Sequence, residues 1–251
     1  MGCTESGRRG RAAKTDLGVI GSMDCEVSLL LRSLDGLREE KAGLVTFYTG
    51  RLNGARTVVA KAGEGKVNAA SCAAAMAVRY SPRVIVNTGC AGALDRSLRV
   101  NDTVVATEAV EYDLDYGLLG HPGGTVFFPD GTSLIAMPAD REVADMLCEA
   151  GRILGIDCVR GTVATGDRFV SDPAVKAAIS ERHGAAVCEM EGAAVLHACR
   201  LFGIRCGIVR SVSDLADGDA GVSFAEVAAT ASGTSAKLVA AFAGMIRDRR
   251  L

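Results

Sequence analysis

Carboxylates at the ends of apolar runs are the residues of this chain best suited to chemistry. The stretch Val187-Cys188-Glu189-Met190-Glu191-Gly192-Ala193-Ala194 sets two glutamates one residue apart, just before a helix-like segment from Ala193 to Leu201. If residues 185–189 form a strand, alternation turns Glu189 and Glu191 to one side and Met190 to the other. Two acids that close must be hydrogen-bonded or kept partly neutral, and perturbed acids of that kind gather at functional sites. Acids also suit the dipole of a helix N-terminus, so this stretch alone leaves both readings open. Two other segments repeat the pattern. Leu17 to Ser22 leads to Asp24 and Glu26, and Gly207 to Val212 leads to Ser213 and Asp214. Three such run ends predict one polar crevice at the carboxyl edge of an open sheet.

The residue types limit the chemistry. No histidine lies near these acids, and no Ser or Cys elbow accompanies them, which disfavours the common hydrolytic triads. His121, His183 and His197 show no ligand spacing with one another or with cysteine, so no metal site is expected. Clustered carboxylates do suit cleavage of a glycosidic bond. Its transition state is oxocarbenium-like, so one carboxyl protonates the leaving group while another activates water. A third can accept hydrogen bonds from two neighbouring sugar hydroxyls. For a purine leaving group the acid must be held protonated near neutral pH by its surroundings.

The elements that must position these acids alternate along the chain. Leu17–Ser22 reads as a buried strand and Asp24–Leu34 as a helix with Val27, Leu30 and Leu31 on one face. Leu44–Thr49 and Thr57–Lys61 read as strands, with Asn53-Gly54 as a strong turn between them. Gly63-Glu64-Gly65-Lys66-Val67 opens an Ala-rich helix over Asn68–Arg79. It lacks the full phosphate-loop spacing, because Val follows the Lys. Arg83–Asn87 reads as a short strand ending in the small residues Asn87 to Ala93, a tight turn or a place of close ligand approach. Asp102–Val110 is a further strand. Tyr116–Ser133 is Gly- and Pro-rich and without period, a loop length that is usually functional. Asp140–Leu154 reads as a helix, Cys158–Ala164 as a strand, and Thr165–Val170 as a loop. Asp172-Pro173 is an N-cap followed by Pro at the first helical position. The strand Arg205–Val212 and a long helix over Val222–Ile246 complete the pattern. Alternating strands and helices predict a mixed or parallel sheet covered on both faces.

Composition narrows the class. The 251 residues fit one sizeable α/β domain, with 49% hydrophobic and only 4% aromatic residues and no Trp, so Ala, Val, Leu and Ile must build the core. A net charge of −2 offers no footprint for nucleic acid or an anionic membrane. No apolar stretch approaches the ~20 residues of a membrane span. Residues 1–15 are expected to be a flexible basic leader with no signal-peptide core, although Met1 to Ser6 matches the loose myristoylation pattern. A single domain is expected over residues 16–251. Nine scattered cysteines without a C-x-x-C pair read as small core hydrophobes in a reducing cytoplasm.

Six motifs in register carry a family resemblance from about Leu17 to the C-terminus: G-S-M-D-C-E-V, G-x-G-K-V-N-A-A, I-V-N-T-G-C-A-G, T-G-D-R-F-V, V-C-E-M-E-G-A-A and V-R-S-V-S-D. Together they resemble the 5'-methylthioadenosine/S-adenosylhomocysteine nucleosidases of the purine nucleoside phosphorylase superfamily. The resemblance implies a three-layer α/β/α fold around a twisted central mixed β-sheet, phosphorylase/hydrolase-like and partly closed into a barrel. It implies a homodimer, no cofactor, and irreversible release of adenine from methylthioadenosine and S-adenosylhomocysteine in methionine salvage. By matching position, Glu26 is the implied general base and Asp214 the general acid, with Ser213 and Arg210 orienting it. Glu191 is implied to bind the ribose hydroxyls, and Met190 to pack on the sugar. Phe169 is implied to stack on adenine while the Val170 backbone reads its edge. Cys90, Ala91 and Gly92 line the implied site, and Phe224 matches a residue implied to reach into the partner subunit's 5' pocket.

Three departures stand out. Cys90 replaces a common Ser in N-T-G-S-A-G. Leu119 and His121 differ from an aromatic pair found in some members. Glu64 stands where Ile is common, beside the expected 5' substituent, where an unpaired buried carboxylate would cost several kcal/mol. The expectation from Glu64 is a preference for a bulkier or charged 5' arm such as homocysteine. The alternatives are a phosphorylase, a futalosine-type nucleosidase and a non-catalytic nucleoside-binding module. A phosphorylase needs cationic partners for phosphate, yet the first strand end offers Glu26. Glu64 disfavours the anionic arm of a futalosine-type substrate. A binding module would dispense with one of Glu26, Glu191 or Asp214, and all three are present.

Overall fold

A computed structural model describes residues 15–214 and 220–249, with the side chains of 220–226 and 248 outside that description. In chain order the elements are β1 (Thr15–Gly21), α1 (Asp24–Arg32), β2 (Asp35–Ala42), β3 (Val45–Leu52), β4 (Ala55–Lys61), α2 (Lys66–Tyr80), β5 (Pro82–Ala93) and β6 (Thr103–Glu111). A short 3-10 turn at Gly117–Leu119 precedes β7 (Val126–Phe127), β8 (Ser133–Leu134) and β9 (Ala136–Pro138). Then come α3 (Arg141–Ile153), β10 (Cys158–Thr165), α4 (Pro173–His183), β11 (Ala185–Glu189), α5 (Gly192–Phe202), β12 (Arg205–Asp214) and α6 (Ala220–Asp248). Thr15, the last residue of the expected leader, already opens β1; residues 1–14 lie outside the described residues.

The main sheet runs β11-β10-β6-β12-β5-β1-β4-β3-β2, with β9 added on β6. Its centre is parallel, β4-β1-β5-β12, while β12 and β6 pair antiparallel. β11 also pairs antiparallel with β5, through Val187↔Ala93 and Cys188↔Gly92. That pairing joins β5, β12, β6, β10 and β11 into a closed ring, while β1 to β4 extend from it as an open sheet. Closure covers the β11 edge, leaves β2 as the open edge, and brings the ends of β5, β11 and β12 to one place.

Helices cover both faces. Period-two alternation divides the central strands: Val84 and Val86 of β5 and Val59 of β4 face the layer of α1, α3 and α6. Ile85, Val58 and Ala60 face the layer of α2 and α5. Small side chains let α2 and α5 pack closely, with Ala69, Ala73, Ala194 and Ala198 buried between them and the sheet. The fold is therefore the three-layer α/β/α arrangement with a mixed sheet. Among the described residues, no helix is long and apolar enough to cross a membrane.

Local signals act as expected at several joints. Asn53 and Gly54 both have positive φ (48° and 86°), the two-residue turn that matches strand twist, and Leu52 pairs with Ala55 across it. Asp140 and Asp172 cap α3 and α4 through the N–H groups of Val143 and Ala174. Two expectations need correction, and one strand has no counterpart in the sequence reading. The small-residue run after Asn87 is not a turn but the second half of a twelve-residue strand, held by β12 on one side and β11 near its end. Asp35–Ala42, which lacks any apolar alternation, forms the exposed edge strand β2 against β3. The loop at 116–133 contains β7, whose Val126 and Phe127 pair with β8.

Candidate active site

The closed end of the sheet holds a cavity of about 250 Å³. Of the residues singled out from the sequence, Glu26, Cys90, Ala91, Gly92, Phe169, Val170, Met190, Glu191, Ser213 and Asp214 all line it. Phe224 lies in α6, but its side chain is outside the described residues. Leu119 and His121 do not line the cavity; Leu119 is exposed, and the His121 ring packs edge-on against Phe127.

Glu26 sits in the first turn of α1, one turn beyond the end of β1. Its Oε2 accepts hydrogen bonds from the Ser22 backbone N–H at 2.6 Å, the Ser22 hydroxyl at 2.8 Å and the Met23 N–H at 3.1 Å. Its Oε1 accepts from the Cys90 N–H at 3.1 Å, with the Cys90 thiol 3.7 Å away. The backbone of Cys90 thus supplies the close bond, and the Ser-to-Cys departure leaves it in place. Burial pushes the Cys90 thiol well above its usual range, so it is a weak neutral donor. Glycine at 89 is a steric need: a Cβ there would strike Glu26 Oε1 and lie 2.8 Å from its Cδ.

Ser213 and Asp214 are neighbours on β12, yet both are buried and both line the cavity. A break in register makes this possible, since Val212 pairs with Ala91 and Asp214 with Gly92, leaving Ser213 as an extra residue. Such a bulge re-aims side chains that alternation would otherwise send to opposite faces. The Ser213 hydroxyl lies 2.8 Å from Asp214 Oδ2 and 3.4 Å from the Ala91 carbonyl.

The Glu189–Glu191 pair divides its labour. Glu189 Oε2 accepts from Arg210 Nε at 3.1 Å and from Arg210 Nη2, and from the N–H groups of Glu191 at 3.0 Å and Gly192 at 2.7 Å. The Thr165 hydroxyl donates to its Oε1. Glu189 therefore anchors the start of α5 and neutralises Arg210, which is 1% exposed. Glu191 stands at the N-cap of α5 and accepts from the Gly65 N–H at 2.9 Å, where Gly65 has φ of +90°. Burial first, and then the Glu189 charge, hold the Glu191 carboxyl well above the usual carboxylate range. Met190 is not turned away as simple alternation predicts. The strand stops at Glu189, the chain bends into α5, and Met190 also faces the cavity. Arg210 likewise does not orient Asp214: its hydrogen bonds go to Glu189 and the Asn87 side chain.

The cavity lining contains five acids, Glu26, Glu64, Glu189, Glu191 and Asp214, and a single cation among the described residues, Arg168. Phe169 is half-exposed in the cavity lining, and Val170 is buried beside it. The sequence reasoning missed Ser22, whose backbone and hydroxyl fix Glu26, and the Glu189–Arg210 pair, whose partners lie 21 residues apart.

Known proteins match this arrangement along most of the chain. The family model of the phosphorylase superfamily matches residues 16–244. A 5'-methylthioadenosine/S-adenosylhomocysteine nucleosidase of Halalkalibacterium halodurans is 39% identical over 237 residues, covering 92% of this chain and 99% of the relative. The crystal structure of the nucleosidase of the same name from Neisseria meningitidis, in complex with methylthio-immucillin-A, superposes with a TM-score of 0.87. It shares 33% identity and covers 92% of this chain and 99% of that one. A futalosine hydrolase of Helicobacter pylori superposes with a TM-score of 0.85 at 30% identity, covering 91% and 97% of the two chains.

Proposed function

The chain belongs to the phosphorylase superfamily and, within it, to the 5'-methylthioadenosine/S-adenosylhomocysteine nucleosidases; it is an N-glycosyl hydrolase, and we propose that it acts on both nucleosides in that name, releasing adenine and the thioribose product. One observation carries this reading. Glu26, Glu191 and Asp214 converge on one cavity whose only described cation stands at its mouth. A phosphate dianion would find no guanidinium inside, because Arg210 is committed to Glu189. A water molecule needs only an acceptor, and Glu26 offers one.

In the proposed reaction, the Asp214 carboxyl gives its proton to a ring nitrogen of adenine as the bond from that ring to the sugar breaks. Ser213 holds the other end of the same carboxyl group in place. Positive charge then spreads over the anomeric carbon and the ring oxygen of the sugar. Glu26 takes a proton from the water that attacks the anomeric carbon, so the new hydroxyl replaces adenine. Its Ser22, Met23 and Cys90 bonds fix the carboxylate so that little reorganisation accompanies the step. Glu191 accepts from the ribose hydroxyls, Met190 packs on the sugar, and Phe169 stacks on the adenine with the Val170 backbone at its edge. The acids are this chain's own, and the reaction as drawn uses no cofactor.

The active form is a homodimer in this reading, with Phe224 completing the 5' pocket of the partner subunit. Exposed apolar residues on α2 and α5, Val67, Leu201 and Phe202, line a shared groove and support such an interface. A role in methionine salvage within a reducing cytoplasm fits the cysteines, most of which serve as buried or half-buried small hydrophobes.

The test is adenine release from methylthioadenosine with and without added phosphate, repeated on Asp214→Asn. Release independent of phosphate, falling at least about 10²-fold in the variant, is the expected outcome. Release only with phosphate would place the chain among the phosphorylases, and full activity in Asp214→Asn would remove its assigned acid.

A further inference from the structure

We propose that Glu64 and Arg168 form a two-charge clamp at the cavity mouth, which reads the zwitterionic amino-acid end of a 5' homocysteine arm. This rests on the reading that thioether nucleosides are the substrates, and it names the residues that choose among them. Both side chains line the cavity, and both are exposed. They carry opposite charge, and neither is in an ion pair among the described residues. The nearby Lys66 does not neutralise Glu64, since its ammonium is held by Asp113 at 2.6 Å and Glu111 at 3.4 Å.

Their positions are set by the backbone. Gly65, next to Glu64, donates its N–H to Glu191, the acid assigned to the ribose. Lys66 donates its N–H to Asp167 Oδ1 at 2.8 Å, which ties the loop of Glu64 to the loop of Arg168. Arg168 in turn directly precedes Phe169, the residue assigned to adenine. Glu64 thus stands one residue from the backbone group that holds the ribose-binding acid, and Arg168 one residue from the ring assigned to adenine, on two loops that are bonded together.

The chemistry of the arm follows from the pair of charges. A methylthio group offers nothing to either of them. An arm ending in a carboxylate alone gains from Arg168 but meets repulsion from Glu64. An α-amino acid presents an ammonium and a carboxylate on one carbon and satisfies both. Because the two residues are exposed, they need no desolvation to wait in water, which resolves the odd presence of a carboxylate beside a thioether pocket.

The experiment compares kcat/KM for S-adenosylhomocysteine and methylthioadenosine in wild type, Glu64→Gln, Arg168→Gln and the double variant. Both positions are exposed, so the fold should survive, and thermal melts check it. Each single variant is expected to lower the homocysteine-to-methyl ratio about three- to fivefold, the range of an exposed ion pair, chiefly through KM. The wild-type ratio is expected to shrink toward that of the double variant as salt rises, because exposed charges are screened. Acetylating the amine of the arm should abolish the effect of Glu64→Gln and leave that of Arg168→Gln. A ratio that stays unchanged in both single variants, or that rises in Glu64→Gln, would overturn the clamp while leaving the nucleosidase reading intact. Failure of the wild type on both substrates would overturn the nucleosidase reading and the clamp with it.

Discussion

Replacing Glu189 by Gln removes a charge from the most deeply buried ion pair around the site while keeping its shape. The carboxylate accepts from two nitrogens of Arg210, from Thr165, and from the N–H groups of Glu191 and Gly192. Arg210 has one other side-chain partner, the Asn87 amide oxygen, and almost no contact with water. Glu189→Gln leaves that guanidinium without its hydrogen-bonded carboxylate, facing only the charges of Glu191 and Glu26 at longer range, and turns amide hydrogens toward groups that are themselves donors. Removing one member of a buried pair costs about 3–5 kcal/mol, because the remaining charge keeps its full desolvation penalty. Against a total stability of about 5–15 kcal/mol, the loss is large. With a urea slope of about 1–3 kcal/mol/M, the unfolding midpoint should fall by at least about 1 M with the slope unchanged. The pair Glu189→Leu with Arg210→Met should recover part of that loss, since apolar groups of similar size leave no charge behind while the buried N–H groups of Glu191 and Gly192 stay unsatisfied. Activity should not return with it, because the N–H groups that open α5 and place Glu191 would still lack their acceptor. A Glu189→Gln variant within about 1 kcal/mol of wild type would refute this account of the pair.

Two further outcomes follow from the same geometry. Gly89→Ala drives a methyl group into Glu26 and to 3.1 Å from Arg210 Nη1, so kcat/KM should fall at least about 10²-fold while stability drops by about 1–3 kcal/mol. Adenine release within tenfold of wild type would remove Glu26 from the reaction. Glu191 carries a carboxyl pushed up to about 8 by burial and then by the Glu189 charge, and ribose hydroxyls bond best to its ionised form. The Kd of methylthioadenosine for Asp214→Asn should therefore fall about tenfold per pH unit between pH 6 and 8 and level off above that. A Kd that is flat across this range would sink the assignment. The same shift has an opposite sign for folding: the native state binds the Glu191 proton more tightly than the unfolded chain, so this group's contribution to stability declines as pH rises from about 4.5 to 8.

By itself the sequence determined the order and type of most elements and the residues that meet in the cavity. Buried strands such as Leu17–Gly21 declare themselves as apolar runs, and the Asn53-Gly54 turn and the Asp172 cap act through their own side chains and φ angles. These are local effects, readable over a few residues. The edge strand β2 escaped because its residues are charged and exposed, and only pairing with β3 holds it extended. The small residues from Asn87 to Ala93 have the composition of a turn, and only β12 and β11 on their flanks make them a strand. The same limit applies inside the site. The acids were legible as types, but their partners were not: Glu26 with Cys90, Glu189 with Arg210 and Glu191 with Gly65 are joined across 64, 21 and 126 positions. Those distances are closed by strand register, by the β5–β11 pairing that shuts the barrel and by the bulge at Ser213. Register is settled by the burial of whole faces at once, so which acid keeps a charge, and which cation answers it, was decided only by the tertiary structure.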